Sequence, residues 1–343
     1  MAANIVSKNG GLIDDTWNVN AQMMEAYINE VYDKELPWDK YVQDVFNIKT
    51  SKRFGEKIGS VTEFGDFAPM TADGASAPKD DIQSGPTKTI EHTTFKKQFR
   101  ITREANEDGE IDFMQAKAAN MVKSYKRTRA QLASDLLTAA AEDAAESTSI
   151  SISGVTFSTA TADGKCIFSK DHPGILNPLD KQSNRFTNAF GNDSSMLSRL
   201  ANIGANFRNG SGNYMGYTFD TIIVPANCGR LIDLVKKIIV SEQVVGSNYN
   251  DKNIEKGNWK LIVDPCWHVS DPSTYEPYIL MSSEANEELI GNKFYDRVKL
   301  DVTAHVDQDT DDMIWNGYAR MSAGFASWQH ILMGGARYGT TLT

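Results

Sequence analysis

The stretch SKRFGEKIGSVTEFGDFAPMTADGASAPKDDIQSGPTKTIEHTTFKKQFRITR, Ser51 to Arg103, decides the fold. Its first leg, Phe54 to Met70, sets Gly55, Gly59 and Gly65 among Val61, Phe64 and Phe67. The tip, Thr71 to Gly85, is built of Ala, Asp, Gly, Ser and Pro, a turn and loop composition. The second leg, Pro86 to Arg103, is rich in Thr and carries Ile90, Phe95, Phe99 and Ile101, so it reads as strand. At about 3.3 Å per residue each leg reaches about 50 Å. An isolated two-stranded ribbon is marginal in water. This one has too few apolar residues to build its own core, and a second copy of the chain is the simplest cover for it.

The next segment is Asp112 to Glu146, DFMQAKAANMVKSYKRTRAQLASDLLTAAAEDAAE. It opens on Asp112 and Gln115 at capping-box spacing. Met114, Ala118, Met121, Val122, Tyr125, Leu132, Leu136 and Ala140 then recur at helical spacing, with no Gly or Pro between them. The spacing predicts one helix over 112–146, roughly 50 Å long. Lys117, Lys123, Lys126, Arg127 and Arg129 are expected on its other face. Glu142, Asp143 and Glu146 oppose the dipole at its C-terminal end. A ribbon without a core, followed by a helix too long for a small one, describes a subunit that lies across its neighbours.

Bulk properties agree. At 343 residues the chain is long enough for two or three subdomains. Apolar residues make up 41% of it, which supports a globular interior, and no apolar run approaches the ~20 residues that span a bilayer. Met1 to Ile5 lacks the basic and apolar pattern of a secretory signal. Cys166, Cys228 and Cys266 are too few for a disulfide framework and fit a reducing compartment. A net charge of −10 argues against a surface that grips nucleic acid all round, though not against a container for it.

Residues 1–50 begin polar and then turn helical, with Met23, Met24, Tyr27, Ile28, Val31 and Tyr32 on one face and a stop before Pro37. Such an arm either docks on its own subunit or reaches a neighbour. Further on, Ile150 to Phe157 alternates as a strand, and Ser194 to Phe207 reads as a helix. Phe219 to Val224 is a buried strand ended by Pro225, and a helix follows over Ala226 to Ser241. Gly246 to Gly257 is a polar loop. Trp259 to Val263 and Pro277 to Met281 are strands, and Val298 to Val306 with Met313 to Met321 form a hairpin.

Motifs for chemistry are weak. Asp307, Asp309 and Asp311 stand at the first, third and fifth positions of a calcium loop, but Asp312 replaces the required Gly and Tyr318 the required Glu. Cys266 and His268 have no CxxC partner, so zinc is not expected. Gly210, Gly212 and Gly216 match neither a dinucleotide fingerprint nor a P-loop. His172 beside Asp171 lacks a nucleophile in any recognisable frame. No catalytic, cofactor or metal residue is assigned. The basic helix face, preceded by Lys96, Lys97, Arg100 and Arg103, suits acidic patches on neighbours, with nonspecific phosphate contact a lesser use.

The order of arm, long hairpin, long helix, mixed α/β domain and returning strand pair resembles the major capsid protein of tailed bacteriophages, the Hong Kong 97 type. Cys166-Ile167-Phe168-Ser169-Lys170-Asp171-His172-Pro173-Gly174 is similar to the F-S-x-x-H-P stretch of Mu-like prophage major head subunits, and Thr221 to Pro225 and Trp315 to Tyr318 are similar to theirs as well. The resemblance implies an α+β fold with an N-terminal arm (1–50), an extended β-hairpin loop (51–105), a peripheral domain (106–216) built on the spine helix 112–146, an axial domain (217–297), and return strands with the C-terminus (298–343). It implies self-assembly into hexamers and pentamers of a shell that encloses double-stranded DNA. It also implies a virion assembled in the host bacterial cytoplasm, without enzyme activity or cofactor. Partners would be further copies, a separate scaffolding protein, a head protease, portal and decoration proteins, and DNA held by nonspecific contact, with no membrane. Residues expected to meet neighbouring subunits are Phe64, Phe67, Met70, Ile90 and Phe95 on the hairpin, Lys123 and Arg127 on the helix, and Asn248 and Asn250 in the axial loop. The rivals are a cellular nanocompartment shell of the same fold, an α/β enzyme with a site around His172, and a tail-tube or other virion subunit.

Overall fold

The computed structural model describes residues 6–7, 18–61, 69, 84–174, 179–209, 212–246, 251–289 and 291–342. After a short strand, β1 (Val6–Ser7), come two helices, α1 (Asn18–Asp33) and α2 (Pro37–Val45). Pro37 ends the first pattern and also opens the second helix, at the position where a missing N–H costs nothing. Asp39 accepts the Leu36 N–H at 3.2 Å and closes that turn. Ala21, Met24, Ile28 and Val31 bury the inner face of α1 against Met114, Ala118 and Val122, so this part of the arm docks on its own subunit.

The hairpin segment divides. After β2 (Asn47–Thr50), β3 (Gly55–Val61) pairs antiparallel with β4 (Ser84–Glu91), Gly55 opposite Glu91. The second leg then leaves the ribbon at His92, and β5 (Thr93–Ile101) joins a different sheet. A short helix, α3 (Arg103–Glu107), capped by the Thr102 side chain, turns the chain into α4 (Ile111–Thr138).

The capping-box spacing makes Asp112 the N-cap, but the N-cap is Glu110, two residues earlier, which places Asp112 inside the first turn of α4. The helix also ends at Thr138 rather than at Glu146. The acidic residues that oppose the dipole instead build a turn. Asp143 accepts the N–H groups of Ala145 at 2.9 Å and Ser147 at 2.7 Å. The Asp143 carbonyl accepts from the Arg185 guanidinium, and Glu146 adopts a left-handed φ of 53°.

The predicted single strand over Ile150 to Phe157 is a tight hairpin, β6 (Ser149–Ile152) and β7 (Val155–Ser158). Ser153 and Gly154 both take positive φ, the geometry that matches the twist of the flanking strands. β8 (His172–Pro173) and β9 (Lys181–Gln182) form a two-residue ladder before α5 (Ser195–Ala205). Next come β10 (Thr221–Pro225), α6 (Gly229–Val240), β11 (Lys260–Asp264), β12 (Tyr278–Met281) and α7 (Ser283–Glu288). The long pair β13 (Asn292–Val306) and β14 (Met313–Phe325) precedes β15 (Ile331–Gly334).

Two sheets organise these elements. In the first, β13 lies between β14 and the parallel strands β1 and β2, and β5 forms the far edge beside β14. α1 and α4 cover one face, where Val302, Ala304, Met313 and Trp315 meet Met121 and Val122. The second sheet has the order β11-β10-β12-β15. All five residues of β10, all four of β12 and all four of β15 are buried, the unbroken apolar reading of strands covered on both faces. Segment 298–343 therefore does not return as a whole to the first sheet. Ile331-Leu332-Met333 needs cover on both faces and finds it beside β12.

Candidate assembly surfaces

The ribbon's root is held by its own subunit. Ile58 of β3, opposite Lys88, and Ile90 of β4, opposite Glu56, pack on Tyr295 and Ala326 as a small separate core. A side chain at Gly324 would overlap the Ile90 side chain, so the ribbon lies directly on β14. Lys88 reaches from β4 to the carbonyls of Ser158 and Ala160, and Arg297 donates to the Arg53 carbonyl. Burial pushes the Lys88 amine down to about 8. The expected neighbour contact at Ile90 is thus corrected: its surface is taken up within the subunit, with 6% left exposed.

Phe95 is likewise turned inward. It is half buried and lines a cavity of about 160 Å³ with Met121, Tyr125 and Leu300, between β5 and α4. Lys96 and Lys97 stand at the rim of this cavity. β5 is an edge strand among the described residues, and charged side chains on an edge discourage indiscriminate strand addition. Phe64, Phe67, Met70, Asn248 and Asn250 lie outside the described residues.

Lys123 and Arg127 are exposed, one turn apart on the outer face of α4. From Phe113 to Ser134 this helix has no acidic residue. Two of the five cations expected on the outer face point inward instead. Lys126 is buried, paired with Asp39 at 2.8 Å and donating to the Lys34 carbonyl at 2.6 Å, which ties α4 to the first two helices. Arg129 pairs with Asp296 of β13 at 2.6 Å and lies over the Phe294 ring at 4.7 Å. The sequence contained a signal for Lys126: it continues the i+4 series Met114, Ala118, Val122 and leads to Ala130.

The motifs weighed for chemistry resolve into structure. His172 is fully buried, with Nδ1 2.7 Å from Asp163 Oδ2 and Nε2 3.2 Å from Asn184 Oδ1. Its ring stacks on Trp328 at 4.3 Å. Both nitrogens are engaged and no face is open to a substrate, so a catalytic base at this position does not hold. Asp311 and Asp312 are taken by Arg103 and Arg100. Cys166 and Cys228 are buried and Cys266 half-buried, all free thiols, and burial raises the Cys228 thiol to about 11 and the Cys266 thiol to about 12. Among the described residues no helix is long and apolar enough to cross a membrane.

No family model matches the chain, and no curated protein does. Solved structures do. The capsid of an empty GTA particle superposes with a TM-score of 0.52 at 11% identity, over 88% of this chain and 90% of that one. The capsid of the native GTA particle gives the same values. The procapsid of bacteriophage JBD30 follows with a TM-score of 0.48 at 12% identity, over 96% of this chain and 77% of that one. At such identities the two GTA matches establish the fold alone: the chain has the α+β fold of those capsid subunits, in keeping with the Hong Kong 97-type architecture expected from the sequence.

Proposed function

We propose that the chain is the major head subunit of a tailed-phage-type particle, a structural protein that assembles through hexamers and pentamers into a closed shell around double-stranded DNA. The observation that carries this reading is the ribbon. Its root is fixed on the subunit through Ile58, Ile90, Lys88 and Arg297, while the sequence beyond Val61 still holds Phe64, Phe67 and Met70 among acidic residues. With the root covered by its own subunit, these three apolar residues are the part of the ribbon left for a partner to cover. Glu63, Asp66, Asp73, Asp80 and Asp81 against the single Lys79 make this segment acidic, which complements the basic strip of Lys97, beside α4, with Lys123 and Arg127 on another copy. The same strip is the place for nonspecific contact with phosphate.

Electron microscopy of the expressed chain, alone and with the genes beside its own, tests the reading. Closed shells support it. Tubes or rings would instead mark a tail-type subunit, and shells holding an enzyme and no DNA a nanocompartment. Deleting 71–85 is expected to block assembly while leaving the subunit folded. Normal shells from that deletion would remove the ribbon from the argument.

A further inference from the structure

Where the ribbon meets the body, one buried histidine touches both of its legs. His92, 7% exposed, sits at the crossing from β4 to β5. Its Nε2 lies 2.9 Å from Ser51 Oγ, at the entrance to the first leg, and its Nδ1 lies 2.9 Å from Ser322 Oγ on β14. Hydrogen counting fixes the direction of these bonds. The Ser51 hydroxyl donates to Glu56 Oε1 at 2.7 Å and accepts the Arg53 N–H at 3.2 Å. A hydroxyl has one hydrogen, so towards His92 the Ser51 oxygen can only accept, and Nε2 carries the proton. In the neutral ring Nδ1 is then an acceptor, and Ser322 donates to it. The result is a one-way chain, Ser322 to His92 to Ser51 to Glu56, that joins β14, the strand crossing and β3.

We infer that His92 is a pH-sensitive pin for the ribbon: neutral, it locks both legs to β14, and protonated, it opposes the Ser322 hydroxyl donor to donor and loosens the root. Ser322 is 1% exposed and makes no other side-chain hydrogen bond among the described residues, so its hydroxyl has no ready alternative acceptor. The charges around the ring favour the neutral form. Glu56 of β3 faces it, but so do Arg297 of β13 and Arg320 of β14, and the Tyr295 ring stands edge-on at 6.1 Å. Burial, reinforced by the two guanidinium groups and only partly opposed by Glu56, holds His92 below the usual histidine range. The closed root therefore binds fewer protons than the opened one. Its stability is complete above the ordinary histidine value near ~6.5 and falls as pH drops toward the lower value of the closed form. Over that window opening rises as pH falls. Lys88 and Lys293, each lowered to about 8 by burial, titrate on the alkaline side and do not share the window. The inference concerns the subunit and stands whether or not shells form.

Hydrogen–deuterium exchange on the unassembled full chain from pH 8 to pH 5, corrected for intrinsic rates, tests it. Peptides over 51–61 and 84–93 should lose protection as pH falls below ~6.5, while β10 does not. His92→Gln, which keeps a donor toward Ser51 but does not titrate, should flatten the response. An equal loss in β10, or an unchanged response in His92→Gln, would overturn the pin. If that variant fails to fold, nitrogen spectra of the histidine-labelled wild-type chain decide instead. The Nε2–H tautomer with a midpoint below the usual range supports the inference, and an Nδ1–H tautomer or a midpoint at or above that range refutes it.

Discussion

Arg129→Met isolates what the inward cations of α4 contribute. Arg129 is 13% exposed and its partner Asp296 is 3% exposed, so solvent screens the pair little. Burial pushes the Asp296 carboxyl up, and Arg129 beside it pulls it back down. Methionine keeps the contact with Phe294 and removes the charge, leaving a buried carboxylate without a counter-ion. Breaking such a pair costs about 3–5 kcal/mol. The sign with pH follows from the carboxyl's direction. A folded pKa above the unfolded one gives stability that is present at low pH and lost as pH rises through the folded value. Without Arg129 that folded value climbs further, so the deficit should be largest at pH 7.5 and shrink toward pH 5, where Asp296 takes up a proton. Urea unfolding of the unassembled subunit at both pH values measures it. Arg129→Met with Asp296→Asn should recover at least half of the loss, because the orphaned charge is gone. A single-variant loss below about 1 kcal/mol at pH 7.5, or one equal at both pH values, refutes the reasoning.

Three further outcomes are expected. Gly204 lies on α5 against the Phe219 ring, which already occupies the place a Cβ would take, so Gly204→Ala should cost about 1–3 kcal/mol in thermal or urea unfolding. Burial pushes the Asp163 carboxyl up, but hydrogen bonds from His172, Thr161 and the Lys165 N–H outweigh it and hold the group below the usual carboxylate range. Asp163→Asn should therefore cost about 1–3 kcal/mol at neutral pH, and unfolding below pH 4 should show the difference narrowing, since stability tied to a depressed carboxyl is lost as pH falls through its folded value. Lys123→Glu with Arg127→Glu should leave subunit stability within about 0.5 kcal/mol, both side chains being exposed, and should lower assembly yield by light scattering. Unchanged assembly would remove the strip from the interface.

The sequence carried the element order because each large element has a strong periodic signal. α4, β10 and the β13–β14 pair exist where the spacing of apolar residues places them, although α4 stops at Thr138 and β13 begins at Asn292, six residues before the expected Val298. What it missed depended on tertiary partners. Whether a cation at a core position is paired cannot be seen without Asp39 and Asp296, which lie far away along the chain. The second hairpin leg looks continuous from Pro86 to Arg103, and only the competing surfaces of β3 and β14 divide it at His92. The β6–β7 turn was legible in Ser153-Gly154 but was masked by alternation on both sides. Of the expected interface, Lys123 and Arg127 are exposed, whereas Ile90 and Phe95 were chosen for being apolar on a ribbon read as coreless. That reading failed at the root because the cover came from Tyr295 and Ala326, more than 200 residues downstream.

The self-covered root changes the physical account of the ribbon. A hairpin that relied on neighbours along its full length would be free to choose its angle, and every interface would have to order it at an entropic cost of about 1–2 kcal/mol per backbone residue. Here the legs through Gly59 and from Thr87 are already ordered by β14, by Lys88 and by the hydrogen-bonded run from Ser322 to Glu56. That part of the ordering cost is met within the subunit, so a partner that binds the ribbon does not meet it again, which is the advantage of preorganisation. The direction of the ribbon is also set by the subunit's own core. In a shell built from one chain, that makes the angle between neighbours a property of the root. Perturbing His92, Ser322 or Glu56, none of which needs to touch a neighbour, should thus alter curvature or yield before it alters subunit folding.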